Sequence, residues 1–133
     1  MDAPPLLDLA ALRTLAQGHC APCPACAALV CPGWEALPST YDAGALRLAG
    51  TLRDPAIDDP TLREHHPAGS NAWSADAPIA PAFFPYNRCE VWQCARCARP
   101  FLRYTEYGGY YVEQRIRALD ARLLVDAALE DSP

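Results

Sequence analysis

The chain carries two Cys-x-x-Cys pairs, Cys23-Pro24-Ala25-Cys26 and Cys94-Ala95-Arg96-Cys97, with 67 residues (27–93) between them. Each pair can place two thiolates at corners of a tetrahedron, and four together make the closed ligand set of a structural Zn²⁺ site. A fold built on that set must bring the first third of the chain against the last. No other feature restricts the architecture as strongly.

Three cysteines stand at three-residue steps, Cys20, Cys23 and Cys26, so two overlapping pairs compete. The backbone discriminates between them. In a metal knuckle, amide N–H groups of the turn point at the first sulfur and stabilise its negative charge. With Cys23 first, the amides of Ala25 and Cys26 are available, whereas with Cys20 first, Pro22 removes one donor. The expected ligands are therefore Cys23, Cys26, Cys94 and Cys97. Cys20, Cys31 and Cys89 remain further candidates.

These residues resemble the knuckles of zinc-ribbon and rubredoxin-like proteins. Cys23-Pro24-Ala25-Cys26-Ala27 and Cys94-Ala95-Arg96-Cys97-Ala98 share the small residue after the second cysteine, although alanine replaces the usual glycine. The resemblance covers about a third of the chain and implies a structural class with bound zinc, not a function. The long insertion between the knuckles departs from compact ribbons.

An iron–sulfur cluster is the alternative cofactor. Cys20-x2-Cys23-x2-Cys26-x4-Cys31-Pro32 comes within one residue of the bacterial ferredoxin run, and Cys89-x4-Cys94-x2-Cys97 matches a plant-type start. Each copy is defective. The first has an extra residue before its last cysteine, and the second has no cysteine after Cys97.

Composition narrows the setting. At 133 residues with 51% apolar content, the chain fits one domain that needs no disulfides to build a core. Seven cysteines follow a start, Met1-Asp2-Ala3-Pro4-Pro5, without a positively charged signal region. That points to a reducing, cytoplasmic compartment and to metal ligation. No apolar run approaches the roughly 18 residues of a membrane span, so no membrane partner is expected. All eleven basic residues are arginines, and the wealth of Ala, Arg and Pro fits a GC-rich bacterial genome. Without lysine there is no Schiff-base or P-loop chemistry.

Net charge is −5, unevenly spread: −5 over residues 1–86, +3 over 87–122 and −3 over 123–133. This balance disfavours a nucleic-acid partner, leaving the Arg-rich 87–122 segment as the stretch such a partner could use. A protein partner is the leading expectation. Arg96, Arg99 and Arg103 with Tyr104, Tyr107 and Tyr110 form the candidate contact surface.

The expected fold class is α+β: a small antiparallel zinc-ribbon-like sheet with N- and C-terminal helices and a long Pro-rich loop. Leu6, Leu9, Leu12 and Ala16 recur at helical spacing within a helix over 4–17. A Cys-rich knuckle segment, 19–33, comes next. Alternation over 45–53 predicts a strand with Leu46, Leu48 and Leu52 on one side. Residues 54–86 read as an ordered loop, because Trp73, Phe83, Phe84 and Tyr86 are foreign to disordered chain. Within it, Asp59-Pro60 predicts a short helix to His65. Ribbon hairpins occupy 87–113, with Gly108-Gly109 as a two-residue turn before a strand over 110–113. The spacing of Ile116, Leu119, Leu123 and Ala127 then predicts a helix over 113–130 with Arg115, Arg122 and Asp126 off its apolar face.

For function, four thiolates leave no open position for substrate, so a structural zinc protein acting through contacts leads. A redox protein with an iron–sulfur cluster is the first alternative. The second is a small metal-dependent enzyme using His65 or His66 beside carboxylates such as Asp58 or Glu64. Against that stands the ordinary placement of surface histidines near a helix end. No Gly-x-Ser-x-Gly, Gly-rich phosphate loop or His-Glu-x-x-His is present, so the balance is against an enzyme.

Overall fold

The computed structural model describes residues 4–17, 23, 24, 26–29, 33–37, 43–71, 73–107, 110 and 112–127. Among them are one α-helix, α1 (Leu9–Gln17), and five strands: β1 (Glu35–Ala36), β2 (Leu46–Thr51), β3 (Glu90–Cys94), β4 (Pro100–Tyr107) and β5 (Val112–Ala118). The strands form one antiparallel sheet in the order β1-β5-β4-β3-β2. The architecture is mostly sheet, which corrects the α+β expectation with a helix at each end.

The missing C-terminal helix has a physical explanation. Residues 112–118 pair along their length with β4, from Phe101↔Ala118 to Tyr107↔Val112. Successive side chains in a strand face opposite ways. Ile116 therefore enters one apolar cluster with Phe101, while Leu119 enters another with Leu102. What reads as a single helical stripe is divided between the two faces of a sheet. Beyond the strand, Ala121–Leu123 make a 3₁₀ turn, and Leu124 pairs with Ile79. Arg115 is no helix-surface residue either. It lies over the Trp73 ring at 4.5 Å and pairs with Glu113 at 2.9 Å.

The β4–β5 register differs from the expected hairpin: Tyr107 pairs with Val112, whereas a turn of Gly108-Gly109 alone would set Tyr107 opposite Tyr110. Gly108, Gly109 and Tyr111 themselves lie outside the described residues. The strand begins at Val112, later than the expected 110–113 placement.

β2 departs from simple alternation through a bulge between Leu48 and Gly50. Leu46 and Leu48 sit opposite Cys94 and Trp92, but Gly50 sits opposite Val91. One extra residue shifts the facing pattern. Leu52 consequently joins the core on the other side, and Leu48 is left 41% exposed. Gly50 has a second role, since a Cβ there would stand 2.6 Å from Leu7 Cγ and 2.8 Å from the Pro5 carbonyl. That space admits the N-terminal segment, where Leu7 N–H donates to Thr51 O and Thr51 N–H to Pro5 O, both at 2.9 Å.

This pairing holds residues 5–7 extended, so α1 starts later than the expected position 4. Asp8 caps it: its Oδ1 accepts from Ala11 N–H at 2.8 Å. The expected helix from Pro60 to His65 is absent. There Thr61 Oγ1 accepts from Arg63 N–H and Arg63 O accepts from Phe84 N–H, bonds that take the place of a helical ladder. The Pro-rich stretch contributes Ile79 to the larger core and buries Ala77, Ala80 and Phe83.

Candidate metal centre

Two apolar clusters lie on opposite faces of the sheet. The larger gathers Leu12, Trp34, Val91, Leu102, Tyr104 and Leu119 among others. The smaller consists of Cys26, Leu29, Leu46, Cys94, Phe101 and Ile116, with Cys23, Cys97 and Trp92 packed against it. The candidate site belongs to the smaller one.

Its second knuckle is the turn between β3 and β4. Cys94 ends β3 and its N–H donates to Arg99 O at 2.9 Å, while Ala98 N–H donates to Cys94 O at 2.9 Å. This tight return puts Ala98 at φ +66°, in the left-handed region. Glycine is usual at such a position because a Cβ is disfavoured there by roughly 1–2 kcal/mol. The alanine noted in the sequence is therefore a strained residue, not an equivalent replacement. Ala27, at the matching place after Cys26, instead opens a 3₁₀ turn, Ala27–Leu29. The two knuckles thus differ: one is a hairpin turn, the other a loop segment anchored by buried Leu29.

The four sulfurs converge. Cys23 Sγ lies 3.7 Å from both Cys26 Sγ and Cys94 Sγ, and Cys26 Sγ lies 3.6 Å from Cys97 Sγ. All four ligand atoms fall within 4.8 Å of one another. Sulfurs on a tetrahedral ion with bonds of about 2.3 Å stand about 3.8 Å apart. This cysteine tetrad could hold a metal ion, which fits a zinc-ribbon-like class. Cys26 and Cys94 are fully buried, while Cys23 and Cys97 are partly exposed.

Electrostatics set which thiols ionise without metal. Burial opposes the Cys23 thiolate, but the Cys26 backbone N–H and neighbouring thiols outweigh it, lowering its pKa to about 7. Burial and the neighbouring cysteines push Cys26 up to about 12. Burial raises Cys97 as well, against a hydrogen bond from the Arg99 backbone. Four thiolates confined in this space repel, so a divalent cation must displace protons to bind.

Of the further candidates, Cys89 sits elsewhere. It is fully buried in the larger cluster, and its thiol donates to Pro85 O at 3.3 Å. Burial holds its pKa well up, although the Arg117 cation works the other way. The plant-type spacing Cys89–Cys94–Cys97 is therefore split across the sheet. Cys20 and Cys31 lie outside the described residues.

His65 and His66, the described histidines, gather no metal site. His66 bonds Ser70 Oγ and Glu64 Oε1, each at 2.8 Å, and His65 packs on the Phe83 ring. Asp58 meets Arg53 through its backbone carbonyl. Among the described residues, the cysteine tetrad is the one group of three or more potential metal-binding side chains.

The candidate contact residues also separate. Tyr107 and Tyr110 are exposed at the β4–β5 end, and Arg96 is exposed on the second knuckle. Arg103 stacks over Trp92 at 5.0 Å. Tyr104 faces inward, only 6% exposed, with its ring edge-on to Trp34 and its hydroxyl accepting from Arg115. Burial pushes its pKa up to about 12 despite that arginine.

Sequence reasoning missed Arg117, which is fully buried and donates from Nη1 to Tyr86 OH at 2.9 Å. Only the strand parity of β5, masked by the helical spacing, could have found it. No protein family, curated protein or solved structure matches the chain. No helix among the described residues is long and apolar enough to cross a membrane.

Proposed function

We propose that this is a structural zinc protein in which Cys23, Cys26, Cys94 and Cys97 hold one ion. Mutual sulfur spacing near that of a tetrahedron about a single ion is the observation that carries the reading. Four protein ligands fill the coordination shell, so the ion supplies rigidity rather than a position for substrate. It ties a loop knuckle to the β3–β4 turn where the apolar cluster alone is small.

Such a protein acts by presenting surface. Exposed Tyr107, Tyr110 and Val112 at the β4–β5 end support a protein partner there. Five described cysteines without disulfides fit a reducing setting, and with the Ala-, Arg- and Pro-rich composition we assign a bacterial cytoplasm.

Elemental analysis with an absorption spectrum tests the assignment. One zinc per chain and no visible absorption are expected from protein kept reduced. Intense visible absorption with bound iron would replace zinc by iron. Folded, reduced protein without any metal would overturn the reading. Zinc uptake by the metal-free protein near pH 7.5 should also release about two or more protons, because the Cys26 and Cys97 thiols start protonated. Affinity then rises with pH, as read by competition with a chromophoric chelator.

A further inference from the structure

Away from the cysteines, the Pro-rich stretch between β2 and β3 carries a chain of hydroxyl, imidazole and carboxylate. Ser70 Oγ lies 2.8 Å from His66 Nδ1, and His66 Nε2 lies 2.8 Å from Glu64 Oε1. A carboxylate only accepts hydrogen bonds, so Nε2 carries the proton of the neutral ring. Nδ1 then offers a lone pair, and the Ser70 hydroxyl donates to it. A base within reach of a hydroxyl, itself oriented by a third group, is the arrangement that activates a serine. The metal-site reading uses none of these residues.

Packing fixes the segment on both sides of the imidazole. Arg63 O accepts from Phe84 N–H at 2.8 Å, and the His65 ring lies 4.9 Å from that of fully buried Phe83. After His66, the Gly69 N–H donates to His66 O at 3.1 Å and closes a turn onto the serine. Gly69 has φ +85°, and a Cβ there would meet nothing within 4 Å. The left-handed turn therefore sets Ser70 beside open space from which a substrate can approach. The His66 side chain is more sheltered, at 18% exposed.

Ser74 shows what an ordinary serine of this stretch looks like. Its Oγ accepts from Asn71 N–H at 3.0 Å and bonds no titratable group among the described residues. Ser70 differs in its backbone as well, since its N–H meets no acceptor among the described residues. That N–H can donate to the oxyanion formed when a carbonyl carbon is attached at Oγ.

We propose that Ser70, His66 and Glu64 form an acyl-transfer site that hydrolyses small carboxylic esters. Ser70 Oγ attacks the carbonyl carbon while His66 Nδ1 takes the hydroxyl proton. Collapse of the tetrahedral intermediate breaks the ester C–O bond. His66 gives its proton to the departing alkoxide, leaving an alcohol and acyl-Ser70. Water then adds to the acyl carbon, His66 takes its proton, and that proton returns to Ser70 Oγ as the carboxylic acid leaves. Glu64 is a positioning residue that holds the ring through Nε2 and stabilises the imidazolium formed in each half. A single N–H donor on an open surface favours esters over amides, whose leaving group is poorer. The proposal does not rest on the metal assignment.

Diisopropyl fluorophosphate tests it on the unmodified, metal-loaded protein. Attack by Ser70 Oγ forms a P–O bond and expels fluoride, with the hydroxyl proton passing to His66. Peptide mass spectrometry should find the adduct on Ser70 and none on Ser39, Ser74 or Ser132. In His66→Gln the labelling should be about a hundredfold slower, the loss of a general base. Turnover of para-nitrophenyl acetate should fall in step with labelling, which separates it from acylation of cysteines. Glu64→Gln keeps an oxygen for Nε2 and removes the charge, so it should lower kcat at unchanged KM, by less than His66→Gln does.

Absence of a Ser70 adduct, under conditions that label a known serine esterase, would overturn the proposal. Equal labelling of Ser74 would do the same, because it would reveal only general surface reactivity. A labelling rate indifferent to His66→Gln would also reject it. If that variant fails to fold, the position of the adduct on the unmodified protein still decides. Metal analysis fails or succeeds separately from all of these readouts.

Discussion

On one face of the sheet, Val91, Leu102 and Leu119 pack with Leu12 of α1, Trp34 and Ile79 from a long irregular segment. On the other, Phe101 and Ile116 meet Leu29, Leu46 and four cysteine sulfurs. Both faces are built from the same strands, yet their cover differs in kind. The first is closed by a helix and a wrapped chain that bury many large side chains. The second is closed by a short knuckle, with few apolar groups and no helix of its own among the described residues. Apolar burial stabilises in proportion to area, so the first face can hold itself together and the second is short of material. A metal ion held by the tetrad would substitute for area there.

Removing the ion should have the largest effect. Chelation, or Cys94→Ser, should lower the melting temperature by tens of degrees or prevent cooperative folding, consistent with the large binding energies of structural zinc. Hydrogen exchange sharpens the comparison. Protection should be lost first at 26–29 and 94–98 and last at Leu102 and Tyr104. An unchanged melt after verified metal loss would break it.

Leu102→Ala strikes the other face. Leu102 is fully buried, and its truncation should cost about 2–5 kcal/mol in denaturant unfolding. One metal per chain should nevertheless remain, because Leu102 points away from the tetrad. Loss of metal in a folded variant would show that the faces are not separable.

Gly50→Ala tests how the N-terminal segment closes the larger core. The added Cβ meets Leu7 and the Pro5 carbonyl below 3.0 Å, so a loss of about 1–3 kcal/mol is expected. The smallest effect, and one of opposite sign, belongs to Ala98→Gly. Relief of the positive φ should raise stability by about 0.5–1 kcal/mol, part of the gain being offset by the freer unfolded chain. A destabilised Ala98→Gly variant would mean that the knuckle is not strained there.

Much of the candidate site was legible before any coordinates. Cys-x-x-Cys spacing is local, and a short turn fixes where its two sulfurs can point. Proline at position 22 favoured the Cys23–Cys26 pair by a rule about one missing N–H, and Cys20 itself lies outside the described residues. The C-terminal third shows the opposite case. Ile116, Leu119 and Leu123 satisfy a helical period well enough to mislead, because short apolar patterns are ambiguous between helix and strand. Pairing with β4 settled the matter, and it also buried Arg117 beside Tyr86. A similar ambiguity affected β2, where the bulge at 48–50 sent Leu52 to a different face from Leu46.

What the sequence determined by itself was therefore the set of donor atoms: which sulfurs could meet around a metal. Their chemistry lies within three-residue turns and needs no knowledge of the remaining chain. Only the tertiary structure decided which face each apolar residue serves, that Cys89 is core rather than ligand, and that Tyr104 points inward. Facing in a sheet depends on register with a neighbouring strand, and register is set by contacts between residues far apart in the chain.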